Sequence, residues 1–266
     1  MAYEVIRQPD HGRQVLIFES KEQVCRFTVD RFWEISERTI NEWGRFSVAL
    51  SGGKTPQDIY VEIGRVGQGM DWRAIHVFLV DERFVPPDDD RSNFRMIKKT
   101  LLDAIPIPVA NLHAVATEET DPRTSAKGYE AELMKFFGTG PGSVPAFDMI
   151  LLGMGEDGHT ASLFPGVPDL QNDKRLVRAV EPAGARVARV TLTLPVINGA
   201  RNVFFLVTGE TKARTVRRVV EEQDPTLPAS LVRPLEGALL FLCDREAGSL
   251  LDIDKGEAKS VSAGVV

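Results

Sequence analysis

Residues 146–166 read AFDMILLGMGEDGHTASLFPG. The first part, Ala146 to Gly153, is an almost unbroken apolar run of the length expected for a strand buried on both faces. It leads straight into Met154 to Gly166, the densest concentration of glycine and chemically capable side chains in the chain. In open parallel sheets ligands lie beyond the carboxyl ends of the strands, so such a loop is where chemistry is expected. Gly153, Gly155 and Gly158 match the GxGxxG spacing. A dinucleotide fingerprint, however, opens a sustained helix in an early strand–helix–strand unit, whereas this one lies mid-chain and is soon followed by Pro165-Gly166. The pattern predicts a short helix near Thr160 and no nicotinamide site.

The same alternation extends on both sides. QVLIF (14–18) reads as a strand, followed by a helix from about Ser20 to Trp43 with Val24, Phe27, Phe32, Ile35 and Ile40 on one face and Gly44 at its end. RFSVAL (45–50) is a second strand, closed by Ser51-Gly52-Gly53 before a helix near Pro56; IHVFLV (75–80) is a third, closed by Asp81-Glu82-Arg83 and a Pro/Asp-rich loop. Helices are predicted over 92–102 and 124–137, and VFFLV (203–207) and GALLFLCD (237–244) are further buried strands. RLVRAV (175–180) and RVARVTLTL (186–194) alternate in part and read as half-exposed, antiparallel additions to the main sheet. The fold class is therefore α/β: an open, mainly parallel sheet flanked by helices, with some antiparallel strands, in a single domain spanning 1–266.

Composition narrows the function. The 32 basic and 38 acidic residues leave a formal charge of −6, which offers no global attraction to nucleic acid or an anionic membrane. The apolar runs are far shorter than a membrane span. The opening MAYEVIRQPDHGR has no basic segment leading into an apolar stretch, so cytoplasm is the expected location. Cys25 and Cys243 form no disulfide framework and, with the four histidines, match no metal spacing. No nucleic acid, membrane, metal or obligate protein partner is expected, and a monomer is preferred.

Four loops carry the candidate chemistry. Ser51-Gly52-Gly53-Lys54-Thr55-Pro56 lets a backbone and a helix N-terminus approach an anion, phosphate being the natural ligand; it reads equally well as a plain turn with Thr55 capping, and it is not a Walker loop. Asp81 and Arg83, at a strand end, suit a hydroxyl or carbonyl and a phosphate, while Asp88 to Asp90 reads as a solvated run with internal ion pairs. His159 is the best general-base candidate, with Asp157 or Glu156 to orient it; His11, His76 and His113 lack a comparable setting. Ser162 lacks a nucleophile elbow and is expected as a buried helical hydroxyl. Thr208-Gly209-Glu210-Thr211-Lys212 places amides and an ammonium where an anion could sit, or else leaves Lys212 in solvent.

Taken together, SGGKTP, VDERFVPPDDDRSNF, FDMILLGMGEDGHTASLFPG, FLVTGETKA and PASLVRPLEG resemble the successive signatures of the bacterial 6-phosphogluconolactonase family, in its order and over most of the chain. The resemblance implies a Rossmann-like fold shared with glucosamine-6-phosphate deaminases and ribose-5-phosphate isomerases. It also implies cofactor-free hydrolysis of a phosphorylated sugar lactone in the oxidative pentose phosphate pathway. By the same resemblance His159 activates water, Asp157 orients it, Arg83 stabilises developing charge and Asp81 positions hydroxyls or helps order the histidine network. Ser51, Gly52, Gly53, Lys54, Arg91, Asn93 and Lys212 would then bind the substrate and its phosphate. The nearest rival, a glucosamine-6-phosphate deaminase, also uses a DGH loop, but continues toward an Ile-Ala-Phe-Asn-Glu-Pro type of sequence where this chain has Thr-Ala-Ser-Leu-Phe-Pro. A noncatalytic sugar-phosphate sensor would have no use for His159.

Overall fold

The computed structural model describes residues 3–7, 13–140, 142–181 and 187–252. The chain runs through β1 (Glu4–Arg7), β2 (Arg13–Phe18), α1 (Lys21–Trp43), β3 (Phe46–Leu50), α2 (Lys54–Val66), β4 (Ile75–Leu79), β5 (Asp81–Arg83), α3 (Asn93–Thr100), β6 (Leu112–His113), α4 (Pro122–Phe137), β7 (Met149–Leu152), β8 (Val177–Val180), β9 (Arg189–Leu192), α5 (Leu194–Asn198), β10 (Asn202–Val207), α6 (Ala213–Val220) and β11 (Ala238–Asp244). The apolar runs become the middle of the main sheet, whose order is β1-β2-β11-β10-β7-β3-β4-β6. Every pairing in it is parallel except the β1–β2 hairpin.

β3 and β7 are buried at every residue, as strands covered on both faces must be. Phe205 and Phe241, on the paired strands β10 and β11, stack with ring centroids 4.5 Å apart. Each such buried phenylalanine contributes about 1.5–3 kcal/mol, whereas exposed ion pairs such as Arg65 with Glu62 are screened by water and contribute little. The core therefore holds the sheet together. The long α1 closes at Gly44 as read, with Val24, Phe32 and Ile35 turned inward.

The connections fix where a ligand goes. From β3 the chain moves to β4 and β6 on one side; from β7 it moves to β10 and β11 on the other. The adjacent pair β3/β7 is thus the topological switch point, where the outgoing loops diverge and leave a crevice. These are the loops of Ser51-Gly52-Gly53 and Gly153 to His159.

Three expectations are corrected. β8 and β9 do not extend the main sheet; they pair antiparallel with each other, and β9 pairs antiparallel with β5, making a separate three-stranded sheet. The chain changes sheets at Val80, whose N–H still bonds Leu50 and whose carbonyl already accepts from Leu192. Helix α4 ties the two sheets together: the Tyr129 hydroxyl bonds the backbone of Leu79, and Glu130 accepts from the N–H groups of Leu176 and Val177. The short helix expected near Thr160 is instead a tight turn in which Thr160 and Leu163 form an isolated bridge, so Ser162 is buried but not helical. The strand β1 was not read, its four residues being too few to show a period. Among the described residues no helix is long and apolar enough to cross a membrane.

Candidate active site

A cavity of about 610 Å³ opens at the switch point. Its floor is the loop after β3. Ser51 is buried and lines the cavity, while its hydroxyl oxygen is itself buried and without a hydrogen-bond partner. A side chain at Gly52 would overlap the amide of Asn93, so this position admits no Cβ. α2 starts at Lys54 with Gly53 as its cap and no side-chain capping bond, leaving its first amides available to an anion. Thr55 does not cap; its hydroxyl pairs with that of Thr208 at 2.7 Å, tying the first turn of α2 to the loop after β10. Lys212, in the short 3-10 turn after Gly209, lines the same cavity instead of standing in solvent.

The loop after β7 supplies a histidine–carboxylate pair. His159 Nδ1 lies 2.5 Å from Asp157 Oδ1, and the His159 backbone N–H donates to the same oxygen at 3.1 Å. With Nδ1–H donating to the carboxylate, Nε2 is the atom left to accept a proton. Burial by itself pushes the Asp157 carboxyl up, but the bonds from His159 more than offset it and hold the group below its ordinary value. Gly155 is required by close approach: a Cβ there would overlap the His159 ring and the Asp157 carboxylate. Phe164 lies 4.9 Å from the imidazole, ring centroid to centroid, and lines the cavity beside it.

The second sheet forms the opposite wall. Asp81 is buried; its Oδ2 accepts from the Ser162 hydroxyl at 2.6 Å, and Asn93 Nδ2 reaches its Oδ1 at 3.3 Å and its carbonyl at 2.9 Å. Those bonds join Asp81 to Ser162 and Asn93, not to His159. Arg83 and Arg189 are direct cross-strand partners on β5 and β9, and both line the cavity. Like charges placed opposite each other repel. Burial, followed by the charge of Arg83, pushes the Arg189 guanidinium down from its ordinary value. Neither guanidinium forms an ion pair among the described residues; the charges of Asp81 and Glu82 act on Arg189 without pairing with it, and both arginines line the cavity. Arg83 is steadied by a 2.6 Å bond to the Arg91 carbonyl.

Sequence reasoning named Arg91, yet its guanidinium is chelated by Asp89 at 2.9 and 2.6 Å and does not line the cavity. The acidic run is taken up in surface ion pairs, Asp89 with Arg91 and Asp90 with Arg95. Arg189 was missed because its strand carried no motif, and Lys21, also on the rim, because it opens an ordinary helix. His76 and His113 bond each other at 3.1 Å away from the cavity lining; burial, then the neighbouring His113 and Arg45, pushes His76 down to about 4. His11 lies outside the described residues.

A histidine–carboxylate pair, cationic side chains and glycine-turned helix starts line one cavity at a parallel-sheet switch point, the arrangement expected of an α/β enzyme. The comparisons agree. The family model described as glucosamine-6-phosphate isomerases/6-phosphogluconolactonase matches residues 19–241. The 6-phosphogluconolactonase of Synechocystis sp. is 44% identical over 216 residues, covering 80% of this chain and 88% of the relative. The crystal structure of 6-phosphogluconolactonase from Thermotoga maritima superposes with a TM-score of 0.74 at 33% identity, covering 86% of this chain and 98% of that one. A monomeric glucosamine-6-phosphate deaminase, 22% identical with a TM-score of 0.73 over 89% of this chain and 99% of its own, shares the fold. The chain belongs to the 6-phosphogluconolactonase family of hydrolases, related to the deaminases.

Proposed function

We propose that the chain, as one domain in the cytoplasm, hydrolyses 6-phospho-D-glucono-1,5-lactone to 6-phospho-D-gluconate, the lactone-opening step of the oxidative pentose phosphate pathway. Two free cysteines suit a reducing compartment. The observation that carries the reaction is the His159–Asp157 pair set in the same cavity as Arg83, Arg189 and Lys212.

His159 Nε2 takes a proton from water as the water oxygen bonds to C1 of the lactone. Asp157 holds the ring by its other nitrogen and stabilises the imidazolium that forms. Arg83 meets the negative charge that develops on the carbonyl oxygen. As the bond from C1 to the ring oxygen breaks, the imidazolium returns its proton to that oxygen, and the acid formed at C1 ionises in water. An ester needs no more than this, whereas deamination would also need ring opening and proton shuttling. The phosphate is held by the loop of Ser51, Gly52, Gly53 and Lys54 with Lys212 and Arg189, joining backbone donors, an ammonium and a planar guanidinium.

Base consumption on freshly generated lactone, corrected for spontaneous hydrolysis, is expected to be rapid and insensitive to chelator, with no ammonia released from glucosamine 6-phosphate. Ammonia release without lactone turnover would overturn the reading. The phosphate site has its own test. Losing a charge-assisted bond costs about 1.5–3 kcal/mol, so Arg189→Ala raises KM roughly 10- to 100-fold with kcat little changed. Arg91→Ala, whose side chain faces Asp89, leaves KM within about threefold. The reverse order of effects in steady-state kinetics would return the phosphate to Arg91.

A further inference from the structure

Ser162 has no place in the reaction as written, yet both of its hydrogen-bond donors are committed to the second sheet. Its hydroxyl donates to Asp81 Oδ2 at 2.6 Å, and its N–H donates to Thr191 Oγ1 at 3.1 Å. Asp81 and Thr191 face each other as register partners on β5 and β9. Ser162 is 1% exposed and Asp81 7% exposed, so both bonds are shielded from competing water, where a hydrogen bond is electrostatically stronger.

The backbone is bent to make this contact. Ala161 is one of three non-glycine residues with positive φ among the described residues, at 50°. For a residue with a Cβ that conformation is disfavoured by roughly 1–2 kcal/mol, so it persists where neighbouring contacts over-determine it. Thr160 supplies one such contact, its hydroxyl bonding Gly153 at 2.9 Å; the Thr160–Leu163 bridge supplies another. The reversal at Ala161 lets His159 line the cavity while Ser162, three residues on, is drawn back to the opposite wall.

We propose that Ser162 is a positioning residue: its hydroxyl orients the Asp81 carboxylate as an acceptor for a substrate hydroxyl and locks the His159 loop to the sheet that carries Arg83 and Arg189. Both partners of the carboxylate, the Ser162 O–H and the Asn93 amide N–H, are donors, so Asp81 acts as an acceptor. A carboxylate has about four acceptor positions. Two are taken, and what remains serves the ligand in the cavity that Asp81 lines. Ser162 thus couples the base on the first sheet to the charge-stabilising groups on the second, and it acts on the chemistry through Asp81.

The inference rests on the lactonase reading, and its test separates the two. Turnover of 6-phosphogluconolactone and calorimetric binding of 6-phosphogluconate are measured for the wild type, Ser162→Ala, Asp81→Asn and the double variant, with thermal melts to confirm folding. Misplacing reacting groups by about 1 Å costs up to roughly 100-fold. Ser162→Ala is therefore expected to lower kcat about 10- to 100-fold while product affinity changes less than about threefold. In the Asp81→Asn background the same change should cost less than about threefold, because coupled residues are not additive. Ser162→Cys keeps the buried volume with a weaker donor; it should give an intermediate kcat, and it carries the test if the alanine variant folds poorly. Wild-type kcat in a folded Ser162→Ala or Ser162→Cys protein overturns the proposal, as does an undiminished effect in the Asp81→Asn background. Absence of lactone turnover by the wild type overturns the reaction itself and the role of Ser162 with it.

Discussion

Replacing His159 with alanine is expected to lower kcat for lactone hydrolysis by about 10²- to 10⁴-fold, the usual contribution of a positioned general base. Binding of 6-phosphogluconate should stay within about threefold of the wild type, because the proposed mechanism has the imidazole act on the water and the departing ring oxygen and assigns the phosphate to other residues. Folding should be nearly intact: His159 is half-buried in a loop whose main-chain bonds, from Gly155 to His159 and from Ala229 to Gly158, do not use its ring. Gly155, Asp157 and Phe164 each lose a neighbour on the cavity side. Steady-state kinetics on fresh lactone, paired with product calorimetry, separates the outcomes. A folded variant with comparable turnover would sink the general-base assignment; a matching loss of product affinity would make the ring a binding group instead.

Much of the architecture was legible because the signals are local. A parallel strand buried on both faces is an apolar run, and MILL, FSVAL and NVFFLV show themselves as such. Glycine after such a run marks the strand end, so the loops at Ser51 and Gly153 and the His159–Asp157 pair could be found from their immediate neighbours. What was not legible depends on long-range pairing. That β5, β8 and β9 form their own sheet is set by Val80 changing partners between Leu50 and Leu192, residues far apart in sequence. Arg189 joins the site only through that pairing, opposite Arg83. Arg91 was chosen from its motif, but its nearest charge, Asp89, claims the guanidinium first. Ser162 was read as a buried hydroxyl, which it is; its partner Asp81 belongs to another sheet and could not be inferred from spacing.

Glu82 stands between the two chosen residues of the Asp81-Glu82-Arg83 motif and was passed over, yet the largest stability effect is expected there. It is 1% exposed, and its carboxylate accepts four bonds: from the N–H groups of Arg83, Asn93 and Phe94, each at 2.7 Å, and from the Ser92 hydroxyl at 3.0 Å. Two of these donors are the first amides of α3, which have no partner within the helix. Glu82→Ala leaves buried donors unpaired at about 1–3 kcal/mol each. With partial relief by entering water the expected loss is about 3–5 kcal/mol, or roughly 6–20 °C in Tm for a chain of this size. Glu82→Gln keeps one acceptor and should lose less. Burial, only partly offset by the four bonds, raises the Glu82 carboxyl above its ordinary 4.5, so the folded protein holds this proton more tightly than the unfolded chain does. That contribution is fully present below the unfolded value and is lost as pH rises through the raised one. The stability gap between wild type and Glu82→Gln should therefore be widest near pH 4 and narrow toward neutrality. Denaturant titrations at several pH values measure it, and a gap that widens with pH would contradict the assigned burial. Because α3 carries Asn93 to Asp81 and the loop carries the Arg91 carbonyl to Arg83, kcat should fall as well, so Glu82 governs the catalytic wall through the backbone it holds rather than through any contact with substrate.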